Sequence, residues 1–181
     1  MTRIPLLGAV LAVTVALAGC AAASSGSGSG QTTAAPAPAA SGATPFTFPC
    51  DSLVDGPTLA AFDTGMTAVS TLTVDGATSA GKIQGLGGTV CEWADPSGGT
   101  LIVAVAQLDA ATLKSTEASV SAVAEPASVA EGSIPSYFTG HEVDAFTETG
   151  FWVSATSSLF TAAADANPIF DDVLQALPSG G

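Results

Sequence analysis

The chain has 181 residues, 16 acidic side chains against 3 basic ones, and a formal charge of −13 at pH 7. So acidic a chain excludes nucleic acid as a partner, because that binding rests on neutralising phosphates, and it opposes docking on anionic lipid headgroups. One histidine and three cysteines supply few soft ligands, so no metal and no cofactor is expected.

The first element in chain order is a leader, residues 1–19. Arg3 and the terminal amine precede an apolar run from Leu6 to Ala18. That run has the size of a signal-peptide core and is short of the roughly 20 residues a membrane-spanning helix needs. It ends in Leu17-Ala18-Gly19-Cys20, which resembles the bacterial lipobox. The resemblance implies export, cleavage before Cys20, and a thioether-linked, palmitate-type lipid on Cys20 as the attachment to the membrane. Removal of the leader takes Arg3 with it and leaves Lys82 and Lys114 against the 16 acids, a formal −14. Residues 20–44 are then the lipidated cysteine and a tether. From Ala21 to Thr44 the chain holds only Ala, Ser, Gly, Thr, Pro and Gln31, too little apolar surface to fold. Its root-mean-square reach is roughly 27 Å.

Cysteine counting follows from the lipobox. Three cysteines in an exported chain leave an odd sulfur. With Cys20 lipidated, Cys50 and Cys91 remain as a pair, which an extracytoplasmic setting would oxidise. The alternative is a metal site, but two thiolates with His141 as the remaining soft ligand fall short of four-coordinate zinc.

Residues 45–178 read as one globular α+β domain, a mainly antiparallel sheet with about three helices, and 179–181 as a tail. Asp55-Gly56-Pro57 starts a helix carrying Leu59 and Phe62, and Gly65 ends it. Val69 to Val74 alternates as a strand, with Asp75-Gly76 as its turn. Gly81 to Gly88 is expected to be loose and Gly-rich, and not a phosphate loop, since the Lys-Ser/Thr is missing. A hairpin pairs Thr89–Trp93 with Thr100–Gln107 around Asp95–Gly99. Cys91 and Trp93 share a face. Leu101 to Ala106 is apolar on both faces, as in a central strand covered on both sides. Asp109 caps a helix over 110–124, with Leu113, Val120 and Val123 inward and Pro126 beyond its end. A second hairpin pairs 142–147 with 151–156, placing Phe151, Val153 and Ala155 on one face and Trp152 on the other. In the last helix Asn167 is the expected cap, Pro168 the first residue, and Phe170, Val173, Leu174 and Leu177 the buried stripe.

The opening Pro49-Cys50-Asp51-Ser52-Leu53, the Pro-started helix after it, and Cys91-Glu92-Trp93 resemble a family of actinobacterial lipoproteins of unknown function. That family combines a lipobox, a disordered tether, a PC-x-L-L opening and a C-x-W strand; Ser52 departs from it, a Leu being commoner there. The resemblance implies an α+β domain, a Cys50–Cys91 bridge and attachment at the outer face of the cytoplasmic membrane. It implies no catalytic residue.

Function is therefore expected to be binding, as an accessory module for another envelope protein or a small ligand, on a surface around Trp152, Tyr137 and His141. Trp152 would be exposed there if helices cover one side of the sheet. One rival is an envelope hydrolase using paired acids such as Glu142 and Asp144, or His141, although Glu142 cannot easily orient its strand neighbour His141. The other is a surface antigen with no stable partner.

Overall fold

A computed structural model describes residues 42–130 and 134–178. The leader, Cys20, nearly all of the tether and the tail lie outside the described residues. Within them the elements run β1 (Ala43–Thr44), α1 (Cys50–Leu53), α2 (Gly56–Phe62), β2 (Thr67–Ala68), α3 (Ser79–Gly85), β3 (Thr89–Ala94), β4 (Thr100–Leu108), α4 (Ala110–Ser121), β5 (Glu125–Ala127), β6 (Ser136–Thr139), β7 (Glu142–Phe146), β8 (Phe151–Ser157), a 3-10 turn (Ala163–Ala166) and α5 (Asn167–Ala176). All eight strands join one antiparallel sheet of order β2-β3-β4-β8-β7-β6-β5, with β1 paired to the end of β4. The α+β class, the antiparallel sheet and the bridge are as the sequence implies; the helices number five among the described residues.

Alternation along the strands sorts side chains onto two faces. One face carries Cys91, Trp93, Leu101, Val103, Val105, Val143, Phe151, Val153 and Ala155, packed beneath Leu53, Val54, Ile169, Phe170 and Val173. The Cys50–Cys91 disulfide, Cα atoms 5.6 Å apart, ties α1 to β3 at this face. The opposite face carries Ala104, Ala106, Leu108, Phe146 and Trp152 and meets Ala80 and Ile83 of α3. Helices thus cover both sides, which explains the unbroken apolar run of β4.

Both hairpins form as expected, and so do the capped starts of two helices: the Asp55 carboxylate accepts from the Thr58 amide, and that of Asp109 from the Thr112 amide. Several local expectations need correction. Residues 69–74 form no strand: Thr67 and Ala68 pair with Ala94 and Trp93, the Val69 amide still donates to the Glu92 carbonyl, and the chain then leaves the β3 edge. The Gly-rich segment is not loose. Thr78 caps α3 by accepting from the Gly81 amide, and the burial of Ala80 and Ile83 outweighs the cost of two glycines in the helix. Val123 lies beyond the end of α4 and is 80% exposed, not inward. Asn167 is no cap: the 3-10 turn runs straight into α5, and the Asn167 side chain accepts from the Ala130 amide. Strands β5 and β6 were not anticipated. Pro126 sits in β5, which has one neighbour and can therefore tolerate a missing donor.

Candidate functional site

The second face of the sheet is only partly filled. Helix α3 covers its β4 side and α4 lies over the other end, and between them opens a cavity of about 590 Å³, within the range of small-molecule sites. Lys82 and Leu86 of α3 stand on one wall, Ser119 and Val120 of α4 on the other, and Val123 and Ala124 at its end. Glu142, Asp144 and Trp152 line it from the sheet.

The floor is built by strand register. Glu142 and Asp144 are two apart on β7, so they share a face. Their cross-strand partners on β8 are Thr156 and Ser154. The Thr156 hydroxyl donates to Glu142 Oε2 at 3.1 Å, and the Trp152 indole N–H donates to Asp144 Oδ1 at 2.8 Å. From the opposite side Ser79, in the first turn of α3, places its Oγ 2.8 Å from Glu142 Oε1 and 3.3 Å from Asp144 Oδ2. One hydroxyl has one proton, so both contacts are hydrogen bonds when Ser79 donates to Glu142 and a protonated Asp144 donates to Ser79.

Electrostatics favour that proton. Asp144 is 3% exposed. Burial, and then the charge of Glu142 beside it, push its pKa up to about 7, against the opposing pull of the Trp152 N–H. The two carboxyls meet at one hydroxyl, each within hydrogen-bond distance of Ser79 Oγ. No grouping of three or more potential ligands for a metal ion occurs among the described residues.

The residues singled out in the sequence separate. Trp152 is not an exposed recognition residue: it is 1% exposed, stacked on Phe146 with centroids 6.1 Å apart, and reaches the cavity as part of its lining. Tyr137 packs edge-on against Phe146 and donates its hydroxyl to Glu117 Oε1 at 3.0 Å; it is core-forming and does not line the cavity. Burial, followed by the acceptor and charge of Glu117, raises its pKa. His141 sits exposed at the β6–β7 turn, its Nδ1 2.8 Å from the Phe160 carbonyl oxygen. It lies in the turn before β7, tied to Phe160 and not to the acid pair that begins one residue along. Of the three, Trp152 alone belongs to the site.

Ser79 and Lys82 escaped the sequence reading, because the helix that carries them did. The signal that finds them is Thr78, a good capping residue directly before Ser79-Ala80-Gly81-Lys82-Ile83, whose Ala80 and Ile83 recur at helical spacing. A second carboxylate pair, Asp63 with Asp95, lies outside the cavity. Burial raises Asp63, while the Ser97 hydrogen bond lowers Asp95.

The chain matches no protein-family model, no curated protein and no solved structure.

Proposed function

We propose that this protein is a lipid-anchored envelope lipoprotein, of the actinobacterial kind it resembles, and that it binds a small ligand in the cavity between α3 and α4. One observation carries the reading: a 590 Å³ cavity with largely apolar walls converges on a polar floor of Ser79, Glu142 and Asp144, the composition expected of a ligand site. A protein-docking role has less support, because Val123 and Leu159 are the only large apolar side chains exposed among the described residues, and no broad apolar patch follows from two of them. Lipid on Cys20 would hold the domain at the outer face of the cytoplasmic membrane.

A hydrolase is the second reading. A buried carboxyl with a pKa of about 7 is poised to trade a proton at neutral pH.

The test is a ligand-library thermal-shift screen of the purified full chain beside Ser119→Trp, which fills the cavity from an exposed helix position. Compounds that raise the Tm of the parent and leave the filled variant unmoved are the expected result. A screen without a hit, or hits indifferent to Ser119→Trp, would overturn the binding reading. Turnover of any hit, lost in Asp144→Asn, would favour the hydrolase. Separately, Cys20→Ala should move the protein from the membrane fraction to the medium.

A further inference from the structure

We infer that the cavity selects an amphipathic amine, a ligand with one protonated ammonium head and an apolar body. This rests on the binding reading above and names the chemistry of its ligand.

Asp144 keeps its carboxyl proton as a donor to Ser79, and once that proton is gone two carboxylates share the single Ser79 hydroxyl proton. An ammonium group brings three N–H donors and a full charge to the same oxygens, and a charge-assisted hydrogen bond is about twice as strong as a neutral one. It replaces the proton on Asp144, which is released to solvent; no other bond is made or broken.

A second, independent observation marks spare polar capacity at the floor. Ser154 is 1% exposed, and its hydroxyl, which has no hydrogen-bond partner of good geometry, lies close enough to Asp144 to pull that carboxyl's pKa down. It shares the cavity-side face of β8 with Trp152 and Thr156 and pairs in register with Asp144, so its side chain lies beside that carboxyl. The far end of the site is apolar. Val123, 80% exposed, belongs to the cavity lining with Leu86 and Val120, where a hydrocarbon body would remove it from water.

The charges facing Asp144 are few. Glu142 comes from its own strand and Lys82 from α3, exposed in the cavity wall; α4 contributes hydroxyls and no charge, and β8 contributes Trp152, Ser154 and Thr156. Lys82 discourages a second cationic group on the ligand, which limits the positive charge to the head.

The experiment is titration calorimetry of the full chain with n-hexylammonium chloride, beside n-hexanol and sodium hexanoate as length-matched neutral and anionic probes. Hexylammonium should bind at least ten-fold tighter than either control. With Asp144 at about 7 and the amine protonated throughout, affinity should rise about ten-fold from pH 6 to pH 8 as the dyad gives up its proton. Glu142→Gln and Asp144→Asn, which keep their acceptor oxygens, should each cost ten-fold or more, and Asp144→Asn should flatten the pH dependence. Equal binding of hexanol would overturn the amine selectivity and leave the cavity reading standing. The same holds if no probe binds while library hits still disappear in Ser119→Trp. Absence of all binding overturns both.

Discussion

At the scale of single residues, Asp144 links burial to pH. Between about pH 4 and 7 the folded chain keeps a proton on Asp144 that the unfolded chain has already lost. The folded state binds more protons, so stability falls as pH rises through that window, by on the order of 4 kcal/mol for this group alone. Other carboxylates oppose it: Asp109 and Asp165 are lowered by backbone amides that donate to them. The informative quantity is therefore the difference between parent and Asp144→Asn. In urea unfolding, Asp144→Asn should gain stability on the parent between pH 4.5 and pH 8; parallel curves would show that the proton is not held. The acid pair itself was legible, since two carboxylates two apart on a strand must share a face. Its partners were not. Ser79 lies more than sixty residues away in sequence, and a pairing at that distance is a property of the folded sheet, invisible to local pattern.

At the scale of elements, what was legible is what local chemistry decides. Asp55 and Asp109 announce helix starts through carboxylates that accept amide protons, and the Asp95–Gly99 stretch announces its hairpin. Helix α3 failed as an expectation because two of its seven residues are glycine and its stability comes from the sheet beneath it. Those two glycines serve different ends, and substitution separates them. A Cβ at Gly81 would stand 2.0 Å from the Asp75 carbonyl oxygen, so Gly81→Ala should destabilise by about 1–3 kcal/mol although alanine is the better helix former. A Cβ at Gly85 meets nothing within 4 Å, so Gly85→Ala should stabilise by about 0.5–1 kcal/mol. Paired denaturation curves measure both, and a shared sign would refute the assignment. Across the cavity, α4 buries no residue fully, whereas α3 buries Ser79, Ala80, Gly81 and Ile83. The α4 wall is thus the less firmly held of the two.

At the scale of the whole domain, one sheet carries two unequal layers, a closed core on the disulfide side and an incompletely filled one on the other. The sequence expectation for Trp152 turned on this point. Its place opposite Phe151 and Val153 was readable from alternation, but its burial depended on helices from distant segments covering the second face. The bridge spans 41 positions, and loop-closure entropy assigns it about 4 kcal/mol. Replacing Cys50 and Cys91 by alanine should lower stability by that order in chemical denaturation, and mass spectrometry of the non-reduced chain should find neither thiol free. The position of the bridge also fixes how the domain meets tension. A pull applied at Gly42 can strip away the two-residue β1 pairing and the strand-free stretch up to Pro49, and then arrives at a covalent bond. Beyond Cys50 the load passes into Cys91, whose neighbour in register is Val103 of the central strand β4. Residues 42–49, with Phe46 and Phe48 seated on the core, are thus the stretch that peels first, and the cavity lies on the far side of a sheet that takes the force at one clamped point.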